Sequence, residues 1–97
     1  MNDALDKLAD MAVFARVVDA GSFSGAARQL GLTPSAVSRQ VARLEQTLRV
    51  RLLERTTRKL RLTQAGSQAL GGCQALVQAA REVLALADTQ GATAQGL

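Results

Sequence analysis

Apolar residues recur every three or four positions across residues 4–20. Leu8, Met11, Phe14 or Ala15, and Val18 share one face, which predicts an amphipathic first helix. Asp3 is placed to cap its start, Asp6 falls favourably in its first turn, and Gly21 can end it in a left-handed conformation. Ser24 reads as the cap of a short second helix, Gly25 to Leu30, with Phe23 ahead of the cap and packing into the core. The small Ala26 and Ala27 let this helix lie close to its neighbours. Gly31 provides the tight exit, and Leu32 plugs the turn from below.

Thr33 then caps a third helix with Pro34 at the first position, where a missing N–H costs nothing. Val37, Val41, Leu44 and Leu48 follow i, i+4, i+7 and i+11 and predict its inward face. Ser35, Ser38, Arg39, Ala42, Arg43 and Gln46 then face outward. A short helix, a glycine-containing turn and a longer helix make a helix-turn-helix, or else an ordinary basic helical hairpin.

The pattern shifts to a period of two after residue 50. Leu52 to Arg55 and Lys59 to Thr63 alternate apolar and polar residues around Thr56-Thr57-Arg58, which predicts a two-stranded hairpin, or wing. From a cap at Thr63 a long helix is expected to about Thr89. Its apolar residues fall in two adjacent registers, Ala69, Cys73, Leu76, Ala80, Val83, Ala87 and Leu70, Cys73, Val77, Ala80, Leu84, Ala87. This seven-residue repeat favours a paired helix. At about 1.5 Å per residue it reaches on the order of 40 Å, too far for the preceding residues to cover, so part of it should meet a second copy. Gly71-Gly72 weakens it locally, for bending or close approach.

Ninety-seven residues with two aromatic residues, Phe14 and Phe23, form one small domain whose thin core association would support. The net charge of +4 is uneven. Residues 1–27 set Lys7 and Arg16 against Asp3, Asp6, Asp10 and Asp19, a net −2. Residues 28–61 set nine basic groups against Glu45 and Glu54, a net +7. Residues 62–97 set Arg81 against Glu82 and Asp88, a net −1. Such a basic block is the footprint of a polyanion ligand, or a merely solvated face.

The chain has no His and a single cysteine, Cys73, so neither an internal disulfide nor a Cys/His zinc site can form within it. The missing His also removes the commonest general acid–base, and no nucleophile–base pair can be assembled, so an enzyme is not expected. Cys73 on the apolar stripe reads as a small core residue, and Glu45 and Glu54 as ion-pair partners of nearby arginines. No apolar run nears the ~20 residues of a membrane span, and the acidic start is unlike a signal peptide. The expectation is a soluble, cytoplasmic chain without a cofactor.

These runs together resemble the N-terminal DNA-binding region of LysR-type transcriptional regulators, over roughly residues 8 to 90. The resemblance rests on Phe14 to Ala20, Gly21-Ser22-Phe23-Ser24-Gly25-Ala26-Ala27, Leu32 to Val41, Leu44-Glu45, Leu52-Leu53-Glu54-Arg55-Thr56 and Leu62-Thr63-Gln64-Ala65-Gly66. It implies a mainly α winged helix-turn-helix, three helices plus a two-stranded wing, followed by a long dimerisation helix. The boundaries are then 1–62 for the DNA-binding domain, 63–90 for the linker helix and 91–97 for a hinge or disordered tail. It also implies a separate C-terminal effector domain. That domain would begin about where this chain stops, so the chain is read as cut at the hinge or naturally truncated.

The expected partner is double-stranded DNA with a dyad-symmetric operator, bound by a homodimer that can pair into tetramers in the full-length protein. Arg39 is the candidate base reader, able to bond two acceptors on guanine or reach a thymine or adenine edge. Pro34 can meet a thymine methyl, and Ser35 and Ser38 can donate to bases or phosphates. Ser24 and Thr33 are expected on phosphates. Arg43, Arg55, Arg58 and Lys59 would supply electrostatic affinity, the wing loop reaching phosphates or the minor groove. Leu70, Cys73, Leu76, Val77, Ala80, Val83 and Leu84 are the expected dimer contacts. A protein-interaction module and a sequence-independent DNA-binding helical module are the alternatives.

Overall fold

The computed structural model describes residues 4–55 and 59–95. The elements are α1 (Ala4–Ala20), α2 (Phe23–Leu30), α3 (Pro34–Leu48), β1 (Leu53–Arg55), β2 (Leu60–Leu62) and α4 (Gln64–Gln95). The two strands pair antiparallel, with Leu53 opposite Leu62, Glu54 opposite Arg61 and Arg55 opposite Leu60. Three helices, a wing and a long final helix are the winged helix-turn-helix that the resemblance implies.

α1 is the central element, packed against α2, α3 and α4. Its burial is therefore wider than one amphipathic stripe. Val13, Phe14, Ala15 and Val17 are buried, whereas Leu8, Met11 and Val18 of the expected face are only half-buried. A helix enclosed by three neighbours hides residues on several sides, so a single-face periodicity misplaces its centre. Val37, Val41 and Leu44 of α3 complete the core with Leu52 and Leu53. Leu48, expected inward, lies on the last turn of α3 and is 44% exposed. Leu32 is also exposed rather than plugging the turn.

The helix ends follow from local chemistry. Gly21 and Gly31 adopt φ of 76° and 68°, a region that favours glycine, and close α1 and α2. α2 begins earlier than Ser24. Ser22 is extended, and its Oγ accepts the Gly25 N–H at 2.9 Å, so Ser22 is the cap and Phe23 the first helical residue. Thr33 caps α3 as expected, its Oγ1 accepting the Ala36 N–H at 3.1 Å with Pro34 in the first turn. Arg49 ends α3 in the left-handed region at φ 60°, the only non-glycine among the described residues to do so.

Thr63 caps α4, its Oγ1 accepting the Gly66 N–H at 3.0 Å while its hydroxyl donates to the Arg51 carbonyl. Gly66 is buried, and a Cβ there would run into the Leu52 carbonyl, so only glycine lets α4 start this close to the wing. The helix runs without a break through Gly71-Gly72 and past Thr89 to Gln95. Around Gly71 and Gly72 the space is open. Among the described residues, no helix is long and apolar enough to cross a membrane.

Candidate nucleic-acid interface

α3 presents one edge to solvent. Its buried side, Val37, Val41 and Leu44, is spaced four and three apart and locks the helix onto the core, so the opposite residues are rigidly displayed. Pro34, Ser35, Arg39, Ala42, Arg43 and Gln46 are exposed and Ser38 is half-buried. Among the described residues, no hydrogen bond or ion pair engages the Arg39 guanidinium or the Ser35 and Ser38 hydroxyls. The Thr33 oxygen accepts from the backbone, which leaves its O–H able to donate to an anion at the helix N-terminus.

The other expected cations are placed differently. Arg43 is exposed on the α3 edge, but two of its nitrogens are held by Asp10 of α1. Nη2 donates to Oδ1 at 2.8 Å and Nε donates to Oδ2 at 3.1 Å. The hydrogen bond and the nearby charge of Asp10 raise the Arg43 pKa above its ordinary value. Arg55 on β1 lies 4.4 Å from the centroid of the Phe23 ring, a cation–π contact that ties the wing to α2. Lys59 is exposed at the start of the second wing segment, whereas Thr57 and Arg58 lie outside the described residues, as does Asp3. Ser24 is exposed in the first turn of α2 rather than at its cap.

Of the expected ion-pair carboxylates, Glu45 lies 3.7 Å from Arg51, with Oε2 facing Nε. Glu54 faces Arg61 across the wing, yet no hydrogen bond or ion pair among the described residues engages it. Arg28 in the last turn of α2 and Arg61 on β2 are exposed cations that the sequence reading did not single out. Asp10 was also missed, though a signal was there. It lies three and four positions before Val13 and Phe14, on the side that faces inward, and a carboxylate there requires a partner.

On α4 the expected dimer stripe divides in two. Leu70, Cys73 and Val77 pack on the protomer's own core, Cys73 being 6% exposed. Burial pushes the Cys73 thiol up from its ordinary pKa. Leu76 is half-buried and Ala80 exposed. Val83 and Leu84, at 65% and 69% exposure, and Leu86 stand in solvent. The proximal residues are covered because α1 lies along this part of α4; the distal ones extend past it.

Residues 8–67 match the bacterial regulatory helix-turn-helix proteins of the lysR family. The chain belongs to that family. It is 50% identical over 92 residues to the probable HTH-type transcriptional regulator LtrA of Klebsiella pneumoniae, covering 95% of this chain and 30% of that protein. An HTH-type transcriptional repressor of Pseudomonas aeruginosa is 55% identical over 74 residues, covering 76% of this chain and 23% of that protein. The chain thus spans less than a third of the length of these curated relatives. Its fold is similar to the crystal structure of the BenM DBD in complex with catB site 1 DNA, with a TM-score of 0.74 and 28% identity. That match covers 84% of this chain and 91% of the other. The chain is a LysR-type helix-turn-helix DNA-binding domain.

Proposed function

We propose that this chain is the operator-binding part of a LysR-type transcriptional regulator, recognising a dyad-symmetric duplex site as a homodimer. The observation that carries the reading is the exposed edge of α3, where an uncommitted Arg39 guanidinium stands among the Pro34, Ser35 and Ser38 side chains on a helix locked to the core. A helix of this kind suits the major groove, where an arginine fork matches two acceptors on guanine. Thr33 and Ser24 contact phosphates at their helix N-termini, and Arg55, Arg58 and Lys59 add sequence-independent attraction.

Two features of one protomer support the dimer. Val83, Leu84 and Leu86 form an exposed apolar stretch on the outer half of α4. Met11, Leu44, Leu48, Ala69, Gly72 and Cys73 line an apolar groove of about 380 Å³. A two-fold axis brings the stretch of each copy to the groove of the other and repeats every contact.

The test is selection of binding sites from a random duplex pool, followed by competition against random-sequence DNA across a salt series. A recovered inverted-repeat site that outcompetes random DNA supports the reading. Equal affinity for all duplexes at every salt concentration would overturn it.

A further inference from the structure

Asp10 and Arg43 form the only ion pair among the described residues in which one partner is buried away from solvent. Asp10 projects from α1 and is 3% exposed, while the Arg43 side chain on α3 is 58% exposed. The carboxylate takes the side-on fork of the guanidinium, Nε and Nη2, with one oxygen each. The Nη1 edge and the second Nη2 hydrogen have no partner among the described residues. Arg43 lies four residues after Arg39, one helical turn along the same exposed edge.

Taking the operator-binding reading above as its basis, we infer that Asp10 is a positioning residue for DNA recognition. Acting through Arg43, it holds one guanidinium still on the exposed edge of α3, with its unshared N–H edge turned to the duplex beside Arg39. Asp10 itself, buried on α1, does not touch DNA. A free arginine loses rotamer freedom when it orders on a ligand, whereas one already held in a planar fork loses less.

The charges make this separable from simple attraction. Asp10 offsets the charge of Arg43, so it weakens the general pull on phosphates. Its contribution to binding is then confined to the sequence where the fixed guanidinium fits. A purely electrostatic account says that Asp10→Asn, which adds one unit of positive charge, tightens binding to every duplex. Positioning says that discrimination falls.

The experiment measures affinity by fluorescence anisotropy at one fixed salt concentration, with the 97-residue chain, the duplex selected from the random pool and a random-sequence duplex. For Asp10→Asn the expected result is unchanged or tighter binding to the random duplex and about tenfold weaker binding to the selected one. Arg43→Lys keeps the charge but not the fork, and is expected to lower the same ratio comparably. In the DNA-free chain, the Arg43 Nε–H resonance is expected to be protected from solvent exchange in the native protein and exposed in Asp10→Asn. Should circular dichroism show Asp10→Asn to be unfolded, the Arg43→Lys ratio and the native Nε–H protection decide. A selected-to-random ratio within twofold of the native value in the folded variants overturns the proposal, as does an unprotected native Nε–H. A native chain that does not separate the two duplexes overturns the functional reading, and this proposal with it.

Discussion

Glu45 Oε2 accepts the backbone N–H groups of both Leu52 and Leu53, at 2.8 and 3.2 Å. One carboxylate near the end of α3 therefore fixes where the wing begins. Leu52 and Leu53 are buried, so without Glu45 their N–H groups lose their partner away from water. Glu45→Ala is expected to cost about 1–3 kcal/mol, and Glu45→Gln, which retains an acceptor, less. Chemical denaturation of the two variants against the native chain measures both.

The glycines of α4 divide by their surroundings. A Cβ at Gly66 would meet the Leu52 carbonyl and lie 3.0 Å from Leu62 Cδ2, so Gly66→Ala should push α4 off the wing and destabilise by roughly 1–3 kcal/mol. At Gly71 a Cβ meets nothing within 4 Å, and Gly71→Ala should stabilise the helix by about 0.5–1 kcal/mol. Thermal unfolding distinguishes the two signs.

Val83 and Leu84 touch little in their own protomer, so Leu84→Asp is expected to leave the fold of one protomer intact. Each large apolar side chain removed from water contributes about 1.5–3 kcal/mol, and the two-fold axis counts it twice. The substitution should therefore convert dimers to monomers in sedimentation at micromolar concentration and collapse affinity for the selected site. A monomeric native chain that binds that site tightly would sink the dimer.

Arg39 and Lys59 are expected to fail in different ways. Arg39→Ala should cost roughly 1–3 kcal/mol on the selected duplex and flatten the preference at the bases it reads. Lys59→Ala should weaken all duplexes alike and reduce the slope of log affinity against log salt by about one. Equal losses for Arg39→Ala on selected and random DNA would remove its reading role.

Burial pushes the Cys73 thiol up, so the native state holds the proton over a range where the unfolded chain has released it. The sign follows. This contribution is complete below the unfolded value of about 8.5 and is lost as pH climbs through the raised native value. The stability difference between the native chain and Cys73→Ala should narrow as denaturation is repeated from neutral pH upward into the alkaline range. The thiol should also resist alkylation in the folded chain and react once the chain is unfolded.

Local chemistry was legible wherever it acts over a few residues. Thr33-Pro34, Thr63, Gly21 and Gly31 mark helix ends through caps and backbone conformations that neighbouring residues decide, and the alternation across residues 52–63 marks the wing in the same way. The Ser24 reading failed at the same scale. Two serines stood two positions apart, and only the extended backbone at Ser22 chose between them.

The order of helices, the wing, the exposed edge of α3 and the basic block around it were settled by periodicity and residue type, because a 3.6-residue turn and a two-residue pleat assign faces without reference to anything distant. Three matters belonged to the tertiary structure alone: that Arg43 is held by Asp10, that Arg55 lies over Phe23, and that Cys73 is covered by its own protomer while Leu84 is not. Each depends on which helices and strands come together in space. A periodic stripe marks a side suited to burial; only packing decides whether it is covered, and by what.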